Sequence, residues 1–199
     1  MHAIGISYPK RSGAIFLLGL TSIVSPIDSC WPSDSPPLQL AQVFSEEHWQ
    51  TQRYNIGRAS FQLAFPGVPQ KREVATGPNN PYSSAVVYGI ANPEDTVAYT
   101  ISVTPFRPNV MSSIPRDKWI DLAVDGIRDA SHCSKITGQK ALSVPVYGRE
   151  VNLSCESKLI TLRIYHTDAA LYSLSVTIKG LMAIMSTKPE RFFESFKPL

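Results

Sequence analysis

The stretch Tyr147–Lys179, YGREVNLSCESKLITLRIYHTDAALYSLSVTIK, decides the fold. Leu162 and Ile164 alternate with Thr161 and Arg163. Beyond a turn at 166–170, Tyr172, Leu174, Val176 and Ile178 alternate with Ser173, Ser175, Thr177 and Lys179. A period of two marks half-buried strands rather than helix. Three consecutive antiparallel strands are expected, with Ile164 opposite Tyr172, Leu162 opposite Leu174 and Ile160 opposite Val176. That register puts both apolar sets on one face, as a sheet with a single buried face requires. Val151, Leu153 and Cys155 join the same face through a turn at 156–159.

The flanking segments add strands and two helices. A strand is expected from Gly138 to Val144, and another from Ser60 to Pro66, where Phe61, Leu63 and Phe65 alternate with Gln62 and Ala64. Residues 84–91 and 96–103 read as a hairpin around Asn92-Pro93-Glu94-Asp95, with Val97, Tyr99, Ile101 and Val103 sharing a face. The GPNNP cluster at 77–81 marks a turn. A helix follows Pro115, a residue suited to the first helical position. Its apolar face is Trp119, Leu122, Ala123, Gly126, Ile127 and Ala130. Asp117, Asp121, Asp125 and Asp129 line the opposite face at intervals of four. Like charges at that spacing cost about a few tenths of a kcal/mol per pair, partly offset by Arg116, Lys118 and Arg128. Such a ridge is a cation site, a docking ridge for a basic partner, or a solvated helix face. Four carboxylates strung along a helix do not converge on one ion, so the solvated face is the expectation.

Downstream, Thr187 and Glu190 have capping-box spacing with Pro189 in the first turn, and Phe192, Phe193 and Phe196 then face the core. Between strand and helix lies GLMAIM, 180–185, expected as a loop. Leu181, Met182, Ile184 and Met185 are more apolar than a surface loop requires. They either pack over a core edge or form an adaptable contact surface for a protein partner. Residues 38–49 carry a weak helical pattern through Leu40, Val43 and Phe44.

The first residues read as a targeting segment. Lys10 and Arg11 precede an apolar run from Gly13 to Val24, and Ser25, Pro26 and Ser29 follow. Charge, short apolar core and small residues make a secretory signal, too short to span a bilayer comfortably. Cleavage before Cys30 suits an ordinary signal peptidase. Ile27-Asp28-Ser29-Cys30 also resembles a bacterial lipobox, from which Asp28 departs, so Cys30 is a candidate lipidation site. The expected organisation is a signal peptide at 1–29, a Pro/Ser-rich tether and N-terminal extension at 30–54, and one domain at 55–199.

The 199 residues are enough for one domain with a sizeable core. The net charge is +3, and without residues 1–29 it is +2. With no basic run, that balance is too weak for a nucleic-acid footprint.

Five segments, in order, resemble the PsbP-like and Mog-like superfamily over Phe61–Leu199. They are FQLAFPG at 61–67, LAVDGI at 122–127, VYGREV at 146–151, RIYHTDAALYSLSV at 163–176 and RFFESFKPL at 191–199. The resemblance implies an α+β fold, an antiparallel sheet sandwiched between helices in an α/β/α layering. It also implies binding, assembly or scaffolding, and bacterial members exported as lipoproteins. It carries no catalytic set and no cofactor. In the GRE turn, Gly148 is expected to allow a tight turn, and Arg149 or Glu150 to pair with a helix end. Pro145 stands near the place of the family turn's first glycine.

Little catalytic chemistry is legible. Walker, nucleophile-elbow, HExxH and CxxC patterns do not occur. His166 and Asp168 supply half of a metal site at best; turn chemistry for Asp168 and solvent exposure for His166 are expected instead. A Cys155–His166 hydrolase is conceivable, because their strands neighbour each other. The expected protein is an exported, non-catalytic binding or assembly module of the bacterial envelope, periplasmic or anchored through lipid at Cys30. An enzyme, a hydrolase with a site assembled from scattered residues, is the alternative. With Cys30 lipidated, Cys133 and Cys155 remain as a pair in an oxidising compartment. Pairing Ala141 with Arg149 brings residues near 133–135 opposite Cys155. A disulfide or two buried free thiols would satisfy that geometry.

Overall fold

The structure, a computed structural model, describes residues 49–75, 84–107, 114–187 and 189–199. The N-terminal targeting segment, Cys30, the tether up to His48 and the GPNNP turn lie outside the described residues. The chain forms β1 (Gln50–Ile56), β2 (Ala59–Phe65), β3 (Gln70–Ala75), β4 (Ser84–Ala91), β5 (Val97–Pro105), α1 (Arg116–Ala130), β6 (Cys133–Leu142), β7 (Gly148–Cys155), β8 (Lys158–His166), β9 (Ala170–Lys179), α2 (Leu181–Ser186), α3 (Pro189–Glu194) and β10 (Lys197–Pro198). Two antiparallel sheets result, one of seven strands in the order β3-β4-β5-β9-β8-β7-β6 and one of three, β1-β2-β10.

Both faces of the large sheet are buried at its central strands, and this changes the expected register. β8 pairs Tyr165 with Tyr172, Arg163 with Leu174 and Thr161 with Val176. That is one residue from the alignment of Ile164 with Tyr172, and a one-residue slip exchanges the faces. Ile160, Leu162 and Ile164 pack with Val151, Leu153 and the helix residues Trp119, Ile120, Ala123, Val124 and Ile127. Tyr172, Leu174, Val176 and Ile178 pack on the other side with Tyr99, Ile101 and Val103. The apolar sets of β8 and β9 therefore belong to two cores. The one-face rule fails because both sides of the sheet are covered at β8 and β9.

The α/β/α layering is corrected for a related reason. Helix α1 covers one face of the large sheet. The other face is covered by the small sheet and short α3. Tyr54 from β1, Phe61, Leu63 and Phe65 from β2, and Phe192, Phe193 and Phe196 form an aromatic layer there. Tyr165 stacks on Phe196 at 5.0 Å between ring centroids, and Tyr54 on Phe61 at 4.9 Å. Strand β1 starts at Gln50, so residues 50–54 belong to the folded unit and not to the N-terminal extension. Only Tyr54 is buried among QTQRYNI, too few apolar positions to reveal a strand. Helix α1 is also rotated from the expected face, burying Ile120 and Val124 in place of Leu122 and Ala130.

The β4–β5 hairpin is as expected. The Asn92 side-chain oxygen accepts from the amides of Thr96 and Val97, each at 2.8 Å, closing an Asx-type turn. Gly148 has a different role from the one expected. It lies in β7, where an added Cβ would stand 2.4 Å from the Ile164 carbonyl oxygen and 2.7 Å from Tyr165 Cδ1. Close approach of β8, not a turn, demands glycine here.

Candidate functional site

Segment 180–185 is a short helix in place of the expected loop. Gly180, with φ of +82°, ends β9 in a conformation side chains rarely adopt and launches α2. Ile184 N–H donates to the Gly180 carbonyl at 3.3 Å, and Thr187 N–H to that of Ala183 at 3.0 Å. Ala183 packs against the aromatic core. Met182 is 80% exposed and Ile184 39%. The orientation of Leu181 and Met185 is outside the described residues. Helix α2 thus places two apolar side chains outward at the end of a central strand.

Cys133 and Cys155 form a disulfide, their Cα atoms 4.1 Å apart across the β6–β7 ladder. Ala141 does pair with Arg149. Continued without interruption, that register would set Lys135 against Cys155. Register shifts at 133/135 and 136/138 each add a residue to β6 and bring Cys133 opposite instead. Because Cys155 is bonded, it is no thiol nucleophile. It also lies at the far end of the ladder from His166, roughly 25 Å away by strand rise. The structure thus does not assemble Cys155 and His166 into a thiol–imidazole pair.

The acidic ridge of α1 is largely answered by the chain's own cations. Arg149, at the start of β7, donates to Asp121 at 2.6 Å and Asp117 at 3.1 Å. Of Arg149 and Glu150, one of which is expected to pair with a helix end, it is Arg149 that does so. The Tyr147 hydroxyl donates to Asp117. That bond, and then Arg149, hold the Asp117 carboxyl below the usual carboxylate range, while the same bond pushes the Tyr147 phenol up. Arg128 meets Asp125 at 3.0 Å and Asp129 at 3.1 Å. Glu150 points to the opposite face, where Arg163 meets it at 2.7 Å and lies 4.8 Å over the Phe193 ring.

His166 is the residue the sequence misplaced most. It is 3% exposed, the last residue of β8 rather than part of an open turn. Its ring lies 5.2 Å from that of Phe106, which in turn lies 5.7 Å from Trp119. Neither ring nitrogen has a hydrogen-bond partner among the described residues. Burial first, then the nearby Arg116 guanidinium, hold its pKa below the ordinary histidine value, with Asp168 opposing more weakly. Asp168 pairs with Arg116 at 3.2 Å. No group of three or more His, Cys, Asp or Glu suited to a metal occurs among the described residues. Nor is any described helix long and apolar enough to cross a membrane.

Sheet, helix and small sheet define a mostly antiparallel β domain with two cores, one edge stapled by a disulfide and one outward apolar helix. No protein-family profile matches the chain, and no curated protein does. Among solved structures it is similar to the solution structure of cyanobacterial PsbP (CyanoP) from Synechocystis sp. PCC 6803. The identity is 10% and the TM-score 0.49, with 84% of this chain and 98% of that one covered.

Proposed function

We propose that this protein is an exported, non-catalytic binding or assembly module of a bacterial envelope, of PsbP-like and Mog-like type, secreted or anchored through lipid at Cys30. The observation that carries the proposal is the outward apolar pair on α2. Met182 is 80% exposed on a helix fixed to the end of a central strand. An unbranched thioether on a rigid base suits contact with a protein surface. The targeting pattern at 1–29 supports export, and the order of motifs between Phe61 and Leu199 supports the family type. A bonded Cys133–Cys155 pair is at home in an oxidising compartment.

The experiment is capture of envelope proteins from the native host on the mature protein, with intact mass read on the same preparation. Met182→Ser with Ile184→Ser should weaken capture while leaving the melting temperature within a degree or two, as for exposed positions. Unchanged capture by that variant would remove α2 as the contact surface. A mass retaining residues 1–29 would refute export, and an added diacylglycerol mass would decide for the lipid anchor.

A further inference from the structure

We infer that His166 is the proton-sensitive element of a latch holding the first turn of α1 against the β8–β9 turn. The geometry is a buried imidazole beside the first turn of α1. Among the described residues that turn is tied to the β6–β7 side by Tyr147 and Arg149 on Asp117, and to the β8–β9 turn by Arg116 alone. His166 is fixed at its backbone, its N–H donating to the Tyr147 carbonyl at 3.0 Å. Its ring sits on the helix side of the sheet against Phe106, under the same helix that carries Trp119. Neither nitrogen is satisfied among the described residues, so the ring is held by packing alone. Across it, Arg116, the first residue of α1, reaches Asp168 in the β8–β9 turn at 3.2 Å. Both side chains of that pair are mostly in water, and such pairs contribute little.

Charged and titratable groups surround the ring unevenly. Helix α1 brings the Arg116 guanidinium and the β8–β9 turn the Asp168 carboxylate, while Tyr147 in the β6–β7 turn meets His166 through its backbone carbonyl. Asp117 is engaged by Tyr147 and Arg149, and Asp168 by Arg116. Among the described residues no carboxylate bonds the imidazole; Arg116 repels a proton there, and Asp168, itself tied to Arg116, opposes that repulsion more weakly. A proton on His166 would therefore be buried, unpaired and beside a like charge. The form with the helix end lifted lets the imidazole meet water and takes the proton first. Acidification through the ordinary histidine range thus favours opening, and neutral pH favours the closed state. Opening bares Phe106 and Trp119, an aromatic surface that the closed form hides.

The test is hydrogen–deuterium exchange of the intact mature protein from about pH 7.5 to about pH 5.5, with rates corrected for the intrinsic pH dependence. Amides of the first two turns of α1 should exchange severalfold faster at the lower pH, while those of β5 and β9 stay protected. His166→Phe, which fills the same space without a titrating group, should abolish the difference. An unchanged α1, an equal rise across the sheet, or a rise that persists in His166→Phe would overturn the latch. Where that variant does not fold, the imidazole carbon-bound protons of the unaltered protein serve instead. Titration of His166 at or above the free histidine value would overturn the latch equally, and titration below it, in step with α1 exchange, would support it.

Discussion

Reducing the Cys133–Cys155 bond is the sharpest perturbation of stability available. The bond joins residues 22 apart in sequence, so it closes the whole β6–β7 hairpin into a loop. In the chain-entropy model a loop of that length restricts the unfolded chain by about 3 kcal/mol. For a domain of this size about 1 kcal/mol moves the melting temperature by about 2–4 °C, so a loss of about 6–12 °C is expected. Cys133 is buried, so reduction should proceed slowly in the folded protein and quickly in denaturant. The assay is thermal and urea unfolding of Cys30→Ser protein, oxidised against fully reduced. The urea midpoint should fall and the slope should rise somewhat, since the reduced unfolded chain is no longer held compact by the cross-link. Identical melting of the two forms would refute the entropic account. Two thiols reacting in denatured, non-reduced protein would refute the bond itself.

Gly148→Ala should lose about 1–3 kcal/mol, as overpacking does, because the new methyl meets the Ile164 carbonyl, a backbone atom held in the β7–β8 ladder; an unchanged melting temperature would disprove the close approach. Tyr54 and Tyr99 are pushed up to about 12, Tyr99 by burial and Tyr54 by burial and then by Tyr88. The unfolded chain therefore loses these protons first, and stability should fall as pH rises above about 10; phenolate absorbance that appears for both residues before any loss of structure would contradict this.

The strands with strict alternation were legible as strands, and their pairing was legible only in part. In β8 and β9 the period of two is clear, yet the same letters fit two registers that differ by one residue. Choosing between them needs the number of buried faces, which is a property of the whole fold. Tyr165 held the clue: an aromatic out of phase with Ile164 and Leu162 has a use only if the second face is also covered. Strands β1 and β3 were illegible because QTQRYNI and QKREVA each keep nearly all side chains in water. Helix α2, six residues long, is shorter than two turns and shows no period. Hairpin counting brings residues near 133–135 opposite Cys155 and leaves bond and free thiols open; the two bulges that set Cys133 there leave no mark in the letters. His166 was misread because its place in H-x-D suggested an open turn, whereas Thr167 takes the turn role, its hydroxyl accepting from the amides of Ala169 and Ala170.

Strands β1 and β10 flank β2 and run in the same direction, so the described domain begins and ends in a single layer. Trp49 and Leu199 are separated by two strand spacings and about six residues of strand rise, roughly 23 Å. A linker of about six residues would span that gap. The described domain, residues 49–199, can then be closed on itself and reopened at the β4–β5 turn, a circular permutation that leaves every described strand neighbour in place. An attachment point moved from the front of the chain to its back would still issue from the small sheet, with α1 on the far side.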